Sequence, residues 1–499
     1  MGSNGLVKSM MMIGAAQAGN IILSILRVKV LAVLLGPAGV GLLGVYNNLR
    51  ETAVIASSLG LTTSGVREIA SAKGEEETLS RVRRVLFFAL ILQGMFAAVV
   101  IWSWRQPLAV WLLEDATQAN SVGLVGIAVF VFLLSGSQMA LLQGMRQIAE
   151  MARATFIGAL GGSVAGIIGI WFLGMQGLIW FILAPPLVTV LAAVYYTRKL
   201  PRPKRASMTL LEIWRTWRTM VNLGAAFMFG GLLSTVSLLL VRGYLTRELG
   251  LDAAGQFAAS WAISMTYIGF LLNAMMADYF PRLTEVIQNP EETNTLINDQ
   301  LQLGLAIGGP FLLGLIATAP WFISLLYSPE FDGAVRLLQW QSVGNIFKLA
   351  TWALGFVIVA AGRSGLFLLL QIAFNAVFIG LIWLAFPAFG LGATGLAFFL
   401  AYVASLLWDY MIVRYINGFV FQRLSIGLLG MHVGLAALVL LIAIQIPFWG
   451  GVIGVVISLL TGIIGGRVVV AKVSPEARFA RQIARLYASI GWPIRSGRW

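Results

Sequence analysis

The chain has no cysteine and a single histidine, His432. Disulfides and thiolate metal sites are excluded, and no cluster of His, Asp and Glu has metal-ligand spacing. Charge is scarce: 11% of the 499 residues are Asp, Glu, Lys or Arg, against about 25% in a soluble domain. Acidic residues are the scarcer sign, 20 against 34 Lys and Arg. No Gly-rich loop ends in Lys-Ser or Lys-Thr, so a phosphate-cradling nucleotide loop is missing. Long polar segments are missing too, and with them any soluble domain to house an active site. No catalytic residue, metal or cofactor is expected from these absences.

Apolar residues make up 59% of the chain, spread evenly along it. About 20 apolar residues span the hydrocarbon, and only a helix satisfies its own backbone there. Fourteen such runs are read: 9–35, 39–66, 84–104, 121–145, 153–173, 176–197, 219–241, 255–277, 300–326, 336–361, 365–386, 391–413, 425–446 and 449–471. The expectation is an all-α membrane protein. Ala16-Gln17-Ala18 resembles a signal-peptidase site, but the apolar core before it, Met10 to Ala15, is shorter than the roughly 7–15 residues of a signal peptide. The run is read instead as the first half of a helix reaching Leu35.

The net charge of +14 does not point to nucleic acid, because the cations sit in short loops between apolar runs. They report topology and attraction to an anionic cytoplasmic leaflet. With the N-terminus inside, the cytoplasmic face receives Arg67, Lys73, Arg81, Arg83 and Arg84. It also receives Arg198, Lys199, Arg202, Lys204, Arg205, Arg215 and Arg218, and Arg478, Arg481 and Arg485 in the tail. The other face receives Arg105, Arg242, Arg247 and Arg336. Both termini are therefore expected in the cytoplasm, and the polypeptide in a bacterial inner membrane. Outside connections are short, the longest about 16 residues near 105–120, which counts against a sugar-polymerising enzyme and leaves a non-transporting scaffold as an alternative.

An internal repeat divides the chain. Leu35-Gly36-Pro37-Ala38-Gly39-Val40-Gly41 matches Leu249-Gly250-Leu251-Asp252-Ala253-Ala254-Gly255, with Lys29 and Arg242 about two turns upstream. Gly144-Met145-Arg146 matches Ala361-Gly362-Arg363, and Gly174-Met175-Gln176-Gly177-Leu178 matches Gly392-Ala393-Thr394-Gly395-Leu396. The expected organisation is a six-helix lobe over 1–200, a cytoplasmic linker over 201–218 and a second six-helix lobe over 219–415. An extra helix pair and basic tail occupy 416–499.

The informative side chains are ionisable groups inside apolar runs, which usually face a bundle interior or aqueous cavity. Lys29, Arg50 and Lys348 lie deep in their runs. Arg27, two residues from Lys29, points the other way and is expected to snorkel to the interface. Asn47 and Glu51 share a helical face. Asn345, Lys348 and Trp352 form a stripe at i, i+3 and i+7. These residues, with Arg242, are the candidate substrate site; Asp409 and Glu51 are candidates for ion coupling. The plainer alternative for each is a structural ion pair or an end-of-helix anchor, preferred for Arg336, Arg414 and Asp278. His432 reads as a packed histidine. An excess of cations beside aromatic rings suits an anionic, glycan-bearing ligand rather than a cationic drug.

Several segments resemble the Wzx-type polysaccharide flippases of the multidrug/oligosaccharidyl-lipid/polysaccharide (MOP) exporter superfamily, especially its common-antigen branch. They are Lys29 to Leu42, Leu142-Gln-Gly-Met-Arg-Gln-Ile-Ala149, Tyr279-Phe-Pro-Arg-Leu-Thr284 and Trp340-Gln-Ser-Val-Gly-Asn-Ile-Phe-Lys348. The resemblance covers roughly residues 8–415. It implies a V of two six-helix lobes around a central cationic cavity, working by alternating access. The implied substrate is undecaprenyl-pyrophosphate-linked oligosaccharide: an O-antigen, common-antigen or exopolysaccharide unit. Lys29 and Lys348 fall where such members carry lysines, whereas Arg50 has no clear counterpart. Membrane lipids and polysaccharide polymerase and chain-length proteins are the implied partners. The alternatives are a MATE-like multidrug or metabolite antiporter and a lipid II flippase, since the helix pair over 425–471 is foreign to twelve-helix members.

Overall fold

The computed structural model describes residues 3–200, 208–472 and 487. The basic residues Arg202, Lys204, Arg205, Arg478, Arg481 and Arg485 lie outside the described residues. Among the described residues there are helices and short 3-10 turns but no strand. In order the helices are α1 Ser3–Ser58, α2 Leu61–Ser71, α3 Glu76–Ser103, α4 Arg105–Leu113, α5 Ala119–Gly144, α6 Ile148–Leu173 and α7 Trp180–Thr197. There follow α8 Leu210–Val286, α9 Pro290–Leu326, α10 Asp332–Ala360, α11 Ser364–Phe389, α12 Gly392–Asn417, α13 Arg423–Gln445 and α14 Pro447–Lys472. Eleven helical stretches among the described residues are long and apolar enough to cross a membrane. Large apolar side chains such as Trp171, Phe172, Trp383 and Leu384 stand outward, as a lipid solvent allows.

Two helices exceed one crossing. α1 has 56 residues and α8 has 77, or about 84 and 115 Å at 1.5 Å per residue, against a hydrocarbon layer of about 30 Å. Each is broken at one glycine with positive φ: Gly36 (φ 60°, ψ −163°) and Gly250 (φ 85°, ψ 175°). Pro37 also disfavours a helical Gly36, and only glycine takes such angles without strain.

The repeat is written in backbone angles. Gly36 and Gly250 are one matched pair. Arg146 (φ 59°) and Gly362 (φ 73°) are a second, each ending a helix in a turn closed by Gln147 N–H to Leu142 O (2.8 Å) or Arg363 N–H to Ile358 O (3.0 Å). The third pair is Gly174 (φ 56°, ψ −133°) and Gly390 (φ 51°, ψ −129°). The register of the last two pairs differs by one or two residues from the sequence match. The left-handed residue sets it, and in the first half one of these is an arginine.

Some boundaries differ from expectation. α8 starts nine residues before 219 because Thr209 and Glu212 form a capping box: the Thr209 amide donates to Glu212 Oε2 (2.8 Å) and the Glu212 amide to Thr209 Oγ1 (3.3 Å). The Thr209 amide and its hydroxyl, which also donates to Oε2 (3.1 Å), hold the Glu212 carboxyl below its usual range. The connection near 105–120 is itself helical. Ala109, Leu112 and Leu113 bury one face of α4.

The chain folds as two compact units. One holds residues up to Gln256 together with Leu326–Ser328; the other holds Phe257–Leu325 and Pro329 onward. In the first, α6 and α7 pack through small residues. A Cβ on Gly158, Gly162 or Gly166 would meet Thr189, Pro185 or Phe181 at 1.8, 2.3 and 2.4 Å. Close backbone approach replaces the hydrophobic drive that lipid cannot supply. In the second, α13 and α14 dock on α9. The ring of buried His432 lies on Gly309, Ser458 Oγ donates to Pro310 O (2.7 Å), and Gly465 abuts the Ala306 carbonyl. Pro310 has no amide for that carbonyl. Asn298, fully buried, accepts from the Gln422 amide (2.9 Å) and Ser425 Oγ (2.7 Å) and donates to Val420 O (3.0 Å). This ties the α12–α13 connection to α9.

Gly162→Val should lower the melting temperature in detergent, through an overpacking cost of about 1–3 kcal/mol. Gly380→Val, where nothing lies within 4 Å of the new Cβ, should melt near wild type. Equal melting of the two variants would contradict the α6–α7 packing.

Candidate functional site

In the first unit, the part of α1 after Gly36 runs antiparallel to the part of α8 before Gly250. A Cβ on Gly41 would lie 2.2 Å from Leu251 O, and one on Gly60 2.3 Å from Gly224 O. Between these contacts Arg242 Nη1 donates to Gly44 O, and Asn48 Nδ2 donates to Thr235 O (3.0 Å). Arg242 is thus engaged along a helix–helix seam, with its Nε buried and unpartnered. Asn48 belongs to the same seam, a role that i, i+4 counting from Asn47 passes over.

The other charges of this unit lie on the flanks of the seam. The Arg50 guanidinium stacks 5.3 Å from the Phe132 ring centroid on α5. Glu51 is exposed, and its charge acts on both Arg50 and Arg242. Asn47 is partly buried. Lys29 Nζ donates to Tyr327 O, just past the end of α9, where a cation complements the helix dipole. Arg27 does not snorkel. It lies 5.9 Å from the Phe181 ring on α7, its Nε is buried without a partner, and its charge reaches Arg50. Side-chain direction on α1 depends on the bend at Gly36, which spacing alone does not reveal.

In the second unit the α10 stripe meets the part of α8 after Gly250. Gln341 Nε2 donates to Ser260 Oγ (3.3 Å) and Asn345 Nδ2 to Ser264 Oγ (2.8 Å). Both amides are fully buried, so they set helix register. One turn on, Lys348 Nζ sits 3.2 Å from Met265 Sδ and 5.6 Å from the Tyr402 ring centroid. Trp352 packs on Tyr279 (5.8 Å) and Phe356 (4.9 Å). Tyr402, held between Phe374 and Phe398, was not expected. Its spacing of seven from Asp409 on α12 is the signal that would have found it. Asp409 is buried and accepts from Ser405 Oγ (3.2 Å).

A thioether is a weak acceptor, while an ammonium has three donors. A desolvated cation over a ring gains about 2 kcal/mol or more, set against the several kcal/mol that desolvating an ion costs. Among the described residues no carboxylate lies within 4.0 Å of Arg27, Arg50 or Lys348; the described ion pairs are elsewhere. Three cations are thus left with donor capacity for an anion.

The fold is found among solved membrane proteins of the MOP superfamily. It is shared with an inward-facing multidrug resistance MATE family transporter (TM-score 0.65, 15% identity, covering 80% of this chain and 96% of that one). It is shared also with the lipid II flippase MurJ in an inward closed conformation (TM-score 0.63, 14% identity, 92% and 98%). The chain belongs to the polysaccharide biosynthesis protein family, whose model matches residues 30–336. The lipid III flippase of Escherichia coli (strain K12) is 23% identical over 388 residues, 75% of this chain and 90% of the relative, as is that of Shigella flexneri.

Lys348→Met keeps the volume and removes the desolvated charge, so the variant should melt at or above the wild-type temperature. A large drop in melting temperature would make the ammonium a structural element instead.

Proposed function

We propose that this protein is a flippase. It carries undecaprenyl-pyrophosphate-linked oligosaccharide from the inner to the outer leaflet of the bacterial cytoplasmic membrane by alternating access. The observation that carries the reading is the set of intramembrane cations without carboxylate partners, Arg27, Arg50 and Lys348. The family and the lipid III flippase relatives support the substrate class.

On this reading α1 and α8 each cross twice and the chain crosses fourteen times, both termini inside. Residues 1–200 and 219–415 are the moving lobes, and 416–499 is an accessory pair and tail. A pyrophosphate brings about two negative charges into low dielectric, and pairing with cations such as Arg50, Lys29 or Lys348 lowers a penalty of several kcal/mol per ion. The polyprenyl chain stays in lipid while the glycan stays hydrated. Asp409 and Glu51 are the candidate carriers of a coupling ion. No step requires covalent chemistry, so the protein is not an enzyme, and a polysaccharide polymerase and chain-length protein are its expected neighbours. Cation excess counts against the alternative of cationic drug export.

In a flippase-null strain, at equal protein level, Lys348→Arg should export more surface glycan than Lys348→Ala. The triple Lys29→Ala, Arg50→Ala, Lys348→Ala variant should export almost none. Full export by the triple variant would remove electrostatic capture of the pyrophosphate.

A further inference from the structure

A further concavity lies on the first unit. α3 ends at Trp104, whose backbone leaves the helix (φ −99°, ψ 12°), and α4 follows at once. Arg105 lies 4.8 Å from the Trp102 ring centroid and donates to the Trp102 carbonyl (2.9 Å). Trp102 and Trp104 are 41% and 63% exposed, the pattern of an aromatic belt at the bilayer surface. Ala109, Leu112 and Leu113 hold α4 to the bundle. Its other face turns outward and, with Arg247 near the end of the first part of α8, walls a concavity of about 770 Å³. The lining is Gln106, Pro107, Val110, Trp111, Glu114 and Arg247. The concavity is shallow and open, so it meets a ligand on one face.

The chemistry of the walls selects the ligand. Glu114 and Arg247 pair at 3.4 Å with about half of each side chain exposed. The pair cancels its own charge, so the concavity favours neither an anion nor a cation. An exposed pair of this kind is worth about 0–1 kcal/mol, so a ligand can redistribute its hydrogen bonds at small cost. Carboxylate acceptors, guanidinium donors and the Gln106 amide, which does both, match vicinal hydroxyls. Trp111, 42% exposed, offers an amphipathic ring face on which the C–H face of a pyranose stacks. Glu114 holds its place in a left-handed backbone conformation (φ 54°), uncommon for a residue with a side chain.

We propose that this concavity binds uncharged sugar residues of the transported glycan at the outer surface of the membrane. It acts as a low-affinity exit subsite, distinct from the cations that hold the pyrophosphate. The inference rests on the flippase reading. α4 lies at the same end of the bundle as the Gly36 bend, which that reading places outside. At that level a glycan emerges while its lipid is still in the leaflet.

The test uses the full-length protein in nanodiscs. The probe is the free oligosaccharide released by mild acid from the host's own lipid-linked pool. Saturation-transfer NMR should show contact with sugar protons for the wild type. Trp111→Ala and the pocket-filling Val110→Trp should each reduce the signal at least fivefold, while Trp111→Phe retains most of it. In cells, both disruptive variants should slow export, with binding of undecaprenyl pyrophosphate unchanged. An oligosaccharide signal undiminished in Trp111→Ala and Val110→Trp, or absent from the wild type while the wild type still exports, would overturn the exit subsite and leave the flippase reading standing. A wild type that exports nothing in the null strain would overturn both.

Discussion

Everything distinctive about this protein follows from placing cations inside helices without giving them carboxylates. Desolvating a guanidinium or ammonium costs several kcal/mol, and structural ion pairs would have met that cost locally. Instead Arg27 and Arg50 lie over phenylalanine rings, and Lys348 lies between a thioether and a tyrosine ring. These partners support a cation without neutralising it, so a transient anion has something to bind. Lys29 and Arg242 differ. Each donates to a backbone carbonyl, that of Tyr327 or of Gly44, in this conformation.

Such charges need a scaffold that stays ordered without hydrophobic drive between helices. Backbone contact supplies it: the glycine face of α6 on α7, Gly41 and Gly60 along the α1–α8 seam, and Gly465 on the Ala306 carbonyl. These contacts carry few directional bonds. Along the α1–α8 seam only the Asn48 and Arg242 bonds to carbonyls are described. A seam held mainly by fit can part and re-form without stranding many polar groups. The buried Asn298–Ser425–Gln302 group is the opposite kind of joint, and it sits where α13 and α14 meet α9.

Much of this was legible in the sequence. Lipid-spanning runs, the repeat and the α10 stripe follow from composition and period, and Gly36 and Gly250 proved to be the bends that their repeat marks. What escaped depends on geometry that period does not carry. Arg27 turns inward because α1 bends nine residues later. The repeat slips by one at Arg146 because an arginine occupies the left-handed position that glycine fills at 362. The bond from Arg242 to the carbonyl of Gly44 is one that charge and spacing do not reveal. Tyr402 was missed because an uncharged aromatic in an apolar run looks like core.

The central claim is that cations without carboxylate partners recognise the pyrophosphate. It is tested most directly by measuring undecaprenyl pyrophosphate binding to protein in nanodiscs, wild type against Arg50→Gln/Lys348→Gln, across a salt series. The account predicts at least tenfold weaker binding by the double variant and a shallower salt dependence. Equal affinity and equal salt dependence in the two proteins would contradict it.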